Sequence, residues 1–377
     1  MKVRWICAVC FLLAFWVPAN AFASHTWIYQ NATSFVVSPV TVSSGVSSLT
    51  LNHISPTTDI SSIILSPPQD ILSLRLLSVD DTSAQLKIDF AKPFTSTQKL
   101  MLTYLMHGLS WSPSHTLQLS KNGQSVLTSW ATLVNHTQAK IGPTHLSLVE
   151  GRVNTNGGII PRAQMMESAD MASKGLPSSD GGYYRVYDVG PNLSIEKGEA
   201  LRVQLLSPFQ TTGTQTLICR NYIYSSRQTR SSKSSISIQV ALNDTAKESL
   251  PAGPVQVYQE IGDTVMWMGT SSLENILPGK KVSFTIGQPV DIEITQSQSN
   301  YLAPTATTKA RYTYQIQNSR DESVTITFVE NFNTPWSIPA SSVPYHTSDA
   351  SSATFSVTIP AQTTSAFWYD VTLQKGK

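Results

Sequence analysis

The chain has few cysteines, and this excludes a disulfide-stabilised scaffold. It contains three among 377 residues, and Cys7 and Cys10 lie in an N-terminal segment that we expect to be removed. Cys219 is then left alone, so the remaining chain can form no internal disulfide. Because Cys219 ends the apolar stretch 216–219, the pattern predicts a buried strand cysteine rather than a reactive thiol.

Charged residues are also scarce, at 13% of the chain, about half of the roughly 25% that is usual. Removal of the N-terminal segment takes away Lys2 and Arg4, so 24 of the 26 basic residues remain against 24 acidic residues. A neutral chain gives no electrostatic reason to expect nucleic acid or anionic lipid as a partner. No later apolar run reaches 18 residues, so no transmembrane segment is expected in the mature chain.

Residues 1–23 have the pattern of a secretory signal peptide. Two basic residues open the segment, residues 5–17 are apolar, and small residues follow up to Ala23. This order is typical of a signal with an A-x-A-like cleavage site, and cleavage is expected after Ala21 or Ala23. The sequence therefore predicts an exported protein, periplasmic or extracellular in the cell envelope.

The rest of the chain alternates apolar and polar residues with a period of two. Tyr312 and Tyr314 share one face of a strand, and residues 324–328 resume an apolar face after a polar turn, which predicts a β-hairpin. Residues 355–359 and 367–371 repeat the scheme. Many short strands separated by Pro and Gly turns predict an all-β fold with two or more immunoglobulin-like β-sandwich domains.

One segment departs from this pattern. Residues 155–182 are rich in Gly and Pro and contain a helix-compatible stretch at 163–174, which predicts a flexible insertion or linker. It divides the expected domains into an N-terminal β-rich region, 24–154, and a C-terminal β-sandwich region, 183–377.

Three tracts carry a resemblance to a known family: residues 104–113, 127–135 and 146–154. Read together with 250–258, they resemble the uncharacterised bacterial envelope family related to mucoidy inhibitor A, in its C-terminal domain of unknown function, over roughly residues 95–375. The resemblance implies a β-rich envelope protein and no known reaction. It rests on spaced residues that are expected to be structural: Tyr104, Gly108, Trp111, Pro113, Trp130, Asn135 and Asn154.

No catalytic or metal signature is present. Asp291 and Glu293 lie two apart on one predicted strand, as a carboxylate pair for glycan cleavage could, but an acid pair on a solvated strand face is common. His107 and His115 flank a tryptophan and could share a metal, although none of the 7 histidines has a ligand spacing. We expect no catalytic residues, no metal and no cofactor.

Aromatic residues offer the remaining functional candidates. Tyr183 and Tyr184 follow the flexible segment, and Trp267 lies between two methionines. Exposed aromatic side chains anchor protein partners or stack on sugars. The sequence therefore favours a non-enzymatic envelope protein that binds a polysaccharide or protein partner. An envelope glycan hydrolase with paired carboxylates and a structural surface or appendage component stay as alternatives.

Overall fold

A computed structural model describes residues 24–151, 180–181 and 184–374. Every regular element in these ranges is a β-strand, so the expected all-β class is confirmed. No helix among the described residues has the length and apolar character needed to cross a membrane. The predicted signal peptide, the predicted helix at 163–174 and nearly all of the predicted insertion at 155–182 lie outside the described residues.

Contacts divide the chain into two compact units. Of the described residues, those within 1–111 and 133–201 form unit 1, and those within 112–132 and 202–377 form unit 2. This division differs from the linear one expected from the sequence. The reason is that the strands on either side of the 155–182 segment belong to one sheet, in which residues 184–195 pair antiparallel with residues 141–150.

Unit 1 contains a seven-stranded and a three-stranded sheet. Its strands are β1 (His25–Tyr29), β2 (Thr33–Val42), β3 (Ser48–Ile54), β4 (Thr58–Ser66), β5 (Ile71–Ser78), β6 (Ala84–Phe90), β7 (Gln98–His107), β10 (Ile141–Glu150), β11 (Asp180–Gly181) and β12 (Tyr184–Ile195). The larger sheet has the order β11-β12-β10-β1-β2-β7-β4, and the smaller one has the order β3-β6-β5. In β6 every second residue is buried, as the period-two pattern requires.

Three strands contribute residues to both units: β8 (Leu109–Leu119), β9 (Gln124–Asn135) and β13 (Ala200–Gln204). The other strands of unit 2 are β14 (Phe209–Ile223), β15 (Ser232–Lys233), β16 (Ile236–Thr245), β17 (Gly253–Ile261), β18 (Thr264–Leu273), β19 (Lys281–Gly287), β20 (Ile292–Leu302), β21 (Thr307–Asn318), β22 (Val324–Phe332), β23 (Trp336–Ser341), β24 (Tyr345–Asp349), β25 (Ser352–Ile359) and β26 (Thr363–Gln374).

Unit 2 has two hydrophobic cores, in keeping with sandwich-like packing. One core is formed mainly by aliphatic residues of β8, β16, β17 and β19, such as Leu117 and Val257, together with Phe284. The other lies between β14, β22 and β25 on one side and β20, β21 and β26 on the other. Its centre is aromatic and fully buried, with Tyr312, Tyr314, Phe328, Phe355, Phe367 and Tyr369.

The two predicted hairpins are wrong, because the strands that they join lie in different sheets. β21 pairs with β20 and β26, whereas β22 pairs with β14 and β25. β25 and β26 are separated in the same way. A short polar connection between two alternating strands fits a hairpin and a crossing between facing sheets equally well, because both turn the apolar side chains towards one core.

Candidate functional site

Four exposed apolar side chains come together on the hairpin of β17 and β18. Ile261, Val265, Met266 and Trp267 each expose between 47% and 57% of their surface. β17 pairs with β8 only up to Gln259, so the tip of the hairpin extends past the end of that ladder. β18 pairs with β17 and with no other strand of the described part of the chain. These four residues form a surface that we name the apolar hairpin.

The apolar hairpin carries exposed apolar side chains on both of its faces. Trp267 lies opposite Tyr258 and Val265 lies opposite Glu260 in the antiparallel register, so these residues share one face. Met266 and Ile261 lie on the other face, since side chains alternate along each strand. Neither face is covered at the tip, where both carry side chains that are about half exposed.

Hydrogen bonds hold the Trp267 side chain in place. Its Nε1 donates to Oε1 of Gln256 at 2.8 Å, and Oγ1 of Thr270 donates to the same oxygen at 2.9 Å. The indole ring is therefore exposed and already oriented. An oriented tryptophan loses little conformational entropy when a partner covers it, which is the property of a good binding anchor.

Gly269 interrupts the regular pairing of β18 with β17. The ladder with β17 shifts register next to it, and its φ of +133° favours glycine. A Cβ at this position would lie 2.7 Å from the carbonyl oxygen of Ile286 in β19. β19 approaches β18 closely at Gly269, where Met268 and Gly269 are half-buried, whereas residues 264–267 are exposed.

The two tyrosine candidates have a different environment. Tyr184 is half-buried and packs on the cluster that contains Trp27, Phe35 and Val149. Its ring also covers Gly151, where a Cβ would lie 2.5 Å from the ring. Tyr184 thus contributes to the packing of unit 1. Tyr183 lies outside the described residues.

Three of the residues that carry the family resemblance have packing roles in unit 1. Tyr104 is buried, and burial raises its pKa to about 12. Gly108 has a φ of +101° between β7 and β8, and a Cβ there would lie 2.8 Å from Cγ2 of Thr137. Trp111 is buried and donates from Nε1 to the carbonyl oxygen of Val149 at 3.2 Å.

Asn135, at the end of β9, connects the loop that follows β9 with the end of β12. Its Nδ2 donates to the carbonyl oxygens of Ala139, Ile195 and Glu196 at 2.8–3.1 Å. Its Oδ1 accepts from the backbone and the side chain of Thr137. The fully buried amide satisfies backbone groups that would otherwise be unpaired, so its role is structural. Asn154 lies outside the described residues.

Pro113 and Trp130 are packing residues of unit 2. The carbonyl oxygen of Pro113 lies 2.6 Å from the position of a Cβ on Gly253, so glycine is needed at the start of β17. Trp130 is half-buried on β9, and the guanidinium of Arg202 lies 4.6 Å from its ring centroid. This cation–π contact covers one ring face.

The acid pair considered for glycan cleavage is held by cations. Arg320 forms two hydrogen bonds to Asp291, at 2.8 and 3.1 Å, and they hold the pKa of this carboxyl below its usual range. Glu293 accepts from Nζ of Lys233 at 3.1 Å. A general acid needs a raised pKa, so the environment of Asp291 is the opposite of what acid catalysis requires.

The histidine candidates do not form a metal site. No group of three His, Cys, Asp or Glu side chains among the described residues is placed to hold a metal ion. His107 is exposed. His115 is fully buried, and its ring nitrogens contact Oγ of Ser129 and the carbonyl oxygen of Pro251 at 2.9 Å each. Both nitrogens are engaged, and burial lowers its pKa.

A buried carboxylate in unit 2 was missed by the sequence analysis. Glu330 is fully buried and accepts from the hydroxyls of Tyr314 and Tyr369 at 2.9 Å each, and from Nδ2 of Asn221 at 2.9 Å. Burial raises its pKa to about 7, although the three donors oppose the rise. The alternation of β22 contains the signal, because residue 330 falls on the same face as Ile326 and Phe328.

A second polar cluster, in unit 1, was also missed. The His25 ring stacks on Trp27 at a centroid distance of 3.7 Å, and its Nε2 contacts Oγ of Ser147 at 2.8 Å. Burial, together with the neighbouring His145, lowers the pKa of His25 to about 4. His145 itself contacts Asp188. The parallel pairing of β1 with β10 brings the two histidines together, and spacing in the sequence gives no sign of it.

No protein-family model matches the chain, and no curated protein matches it. The resemblance to the family related to mucoidy inhibitor A therefore stays a prediction.

Proposed function

We propose that the chain is an exported, non-enzymatic cell-envelope protein that binds a protein partner through the apolar hairpin. The observation that carries this proposal is the exposed and oriented Trp267 on a hairpin that carries exposed apolar side chains on both faces. Tryptophan and methionine are enriched at protein interfaces, and tryptophan is among the residues that contribute most to binding. The signal-like pattern of residues 1–23 supports export.

Two features favour a protein over a neutral polysaccharide at this hairpin. Ile261, Val265 and Met266 offer aliphatic surface, which suits an apolar protein pocket better than a chain of sugar hydroxyls. Among the described residues no strand pairs with the outer edge of β18 next to Trp267, so an extended segment of a partner can add there as a further strand.

The ion pairs that Asp291 and Glu293 form support a non-enzymatic role. Asp291 and Glu293 are each bound to a basic side chain, and the shifted pKa of Asp291 favours its charged form. Glycan cleavage needs one carboxyl group that stays protonated near neutral pH and a second one at a fixed separation from it. The lowered pKa of Asp291 is opposite to the first of these needs.

Photo-crosslinking in cells tests the proposal. A photoreactive amino acid is placed at Val265 and, as a control, at Leu277, an exposed apolar position in a turn. We expect a discrete crosslinked protein from position 265 and none from position 277. The partner identified in this way is then titrated with the purified protein. Trp267→Ala is expected to weaken binding by about 30-fold, the effect of losing roughly 2 kcal/mol at a tryptophan anchor.

Leu277→Ala serves as the matched variant in the titration, since it removes a similar exposed apolar side chain elsewhere in unit 2. Equal crosslinking from both positions, or equal affinity of the Trp267→Ala and wild-type proteins, would show that the hairpin is not the binding surface. Cleavage of purified envelope glycan by the wild-type protein would contradict the non-enzymatic assignment.

A further inference from the structure

Positive charge is concentrated in one part of an otherwise neutral chain. Residues 220–233 contain Arg220, Arg227, Arg230 and Lys233 and no acidic residue. All four side chains are exposed. The net charge of the whole protein gives no attraction for an anion, so any such attraction has to be local.

Two exposed tyrosines accompany these cations. Cys219 and Ile223 point into the core from β14, so Arg220 and Tyr222 point outward on the opposite face. Tyr222 is 66% exposed and Tyr224 is 51% exposed. Large aromatic side chains with this much free surface are available to stack on a ligand.

The face around Arg220 and Tyr222 carries no opposing charge on the neighbouring strands. Arg220 lies beside Val329 of β22 and Tyr222 lies beside Asn331 in the parallel ladder. The next strand, β25, places Thr354 beside Val329. The acidic Asp349 pairs on the far side of β25, roughly 14 Å from β14 at about 4.8 Å per strand.

The loop that follows β14 is held in a defined conformation. Nε2 of Gln298 donates to the carbonyl oxygen of Ser226 at 3.2 Å, and its Oε1 accepts from the backbone nitrogen of Gln228 at 2.7 Å. The hydroxyl of Tyr301 donates to the carbonyl oxygen of Ser225 at 3.0 Å. Arg227 therefore stands between two anchored residues, and little ordering of the loop backbone is needed on binding.

These arginines differ from the ion-paired arginines of the protein. Arg185, Arg311 and Arg320 each bind a carboxylate of the protein itself. Arg220, Arg227 and Arg230 form no ion pair with any of the described residues. Their guanidinium groups are free to bind an external anion, and a carboxylate matches the guanidinium fork in a bidentate manner.

We propose that Arg220, Tyr222, Tyr224, Arg227 and Arg230, which we name the arginine–tyrosine surface, bind an acidic polysaccharide that carries carboxylates on its sugar rings. The guanidinium groups bind the carboxylates, and the tyrosine rings pack on the apolar faces of the sugars. Stacked bases of a nucleic acid could use the same side chains. The choice of a glycan rests on the export part of the proposed function, since an exported protein meets envelope glycans.

The test uses residues 24–377 of the chain and polygalacturonate as the probe, titrated calorimetrically at 50 and 200 mM salt. Dextran serves as the neutral glycan and single-stranded DNA as the nucleic acid. The variant Arg220→Gln/Arg227→Gln/Arg230→Gln removes three cations from the surface. The matched control Lys121→Gln/Lys247→Gln/Lys281→Gln removes three exposed cations elsewhere. A third variant, Tyr222→Ala/Tyr224→Ala, removes the rings and keeps the charge.

We expect polygalacturonate to bind and dextran not to bind. The dissociation constant should rise about 20-fold between the two salt concentrations, as three ionic contacts that each release about 0.7 counterion predict. The arginine variant should weaken binding at least 10-fold, the tyrosine variant should weaken it several-fold, and the lysine variant should leave it unchanged. Circular dichroism of each variant checks that it is folded.

Three results would overturn the proposal. One is no binding of polygalacturonate at 50 mM salt. Another is an equal loss of affinity in the lysine and arginine variants, which would mean that overall charge decides binding. The third is single-stranded DNA binding more tightly than polygalacturonate through the same residues. Trp267→Ala should leave glycan binding intact, so failure of this proposal and failure of the hairpin proposal are distinguishable.

Discussion

Glu330 makes the stability of unit 2 depend on pH. The folded protein holds this carboxyl in a dry aromatic core, where burial raises its pKa from 4.5 to about 7. The folded state therefore binds the proton more tightly than the unfolded state. The contribution of this group to the free energy of unfolding is highest below pH 4.5 and falls as the pH rises towards 7.

The size of the effect follows from the two pKa values. A shift from 4.5 to about 7 corresponds to about 3 kcal/mol over the whole range, at about 1.4 kcal/mol per pKa unit. Between pH 5 and pH 8 the expected loss is about 2 to 3 kcal/mol, since part of the titration of the unfolded chain lies below pH 5. Glu330→Gln keeps the shape and an acceptor for the two tyrosine hydroxyls, and it abolishes the titration.

Cys219 provides an assay that is specific for this part of the molecule. The thiol is fully buried in the same core as Glu330, and burial raises its pKa to about 12, so it is protected in the folded state. The protein without its N-terminal segment has no other cysteine. After equilibration in urea at each pH, a brief pulse of thiol reagent at pH 8 labels the molecules in which this core is open.

The difference in unfolding free energy between the wild-type and Glu330→Gln proteins should change by about 2 to 3 kcal/mol between pH 5 and pH 8. Glu322→Gln is the control, because this carboxylate is 76% exposed and its loss changes the charge without touching the core. Parallel pH profiles for the wild-type and Glu330→Gln proteins would refute the reasoning, since they would mean that Glu330 binds its proton equally in both states.

Two further predictions concern unit 1 and the N-terminus. Asn135→Ala should lower the free energy of unfolding of unit 1 by about 2 to 4 kcal/mol, because it leaves buried carbonyl groups unpaired. Asn52→Ala, at an exposed position of the same unit, should change it by less than about 0.5 kcal/mol. Urea denaturation followed by tryptophan fluorescence checks both, and equal effects would contradict the structural role of Asn135. The mass of the protein isolated from the cell envelope should correspond to a chain that begins at Phe22 or Ser24, and an intact chain beginning at Met1 would contradict export.

A turn that contains glycine makes the same pair of backbone hydrogen bonds in both units. In unit 1, the backbone nitrogen of Gly198 donates to the carbonyl oxygen of Asn135, whose own nitrogen donates to Glu199. In unit 2, Gly279 and Ala246 form the same pair of bonds, at 2.8 and 3.0 Å with their partners. Glycine supplies the positive φ of +71° or +79° that each turn requires. A local pattern of this kind can be recognised from sequence because the turn is determined by residues close together in the chain.

The hydrogen bonds from the Asn135 side-chain amide to three backbone carbonyl groups also have a counterpart in unit 2. This repetition could not be recognised from sequence. Asn318 ends β21 as Asn135 ends β9, and its Nδ2 donates to the carbonyl oxygens of Glu322, Ile359 and Pro360. The family resemblance named Asn135 as a structural residue, and nothing in the sequence pattern related it to Asn318. Two of the three acceptors lie about 40 residues away, so no local pattern connects them.

Amino-acid order alone determined what depends on neighbouring residues: the all-β class, the inward and outward faces of strands such as β6 and β21, and the lack of any disulfide framework. Tertiary structure decided which strands pair, because alternation with a period of two specifies a face and leaves the partner open. The strands of the two expected hairpins lie in different sheets, and β10 pairs with β12. Tertiary structure also exposed Trp267 and covered Tyr184, since burial of an aromatic ring depends on what packs against it. The sequence pattern also leaves open that Glu330 is buried and that the arginines of 220–230 have no ion pair among the described residues. The environment of a charged side chain depends on the tertiary structure.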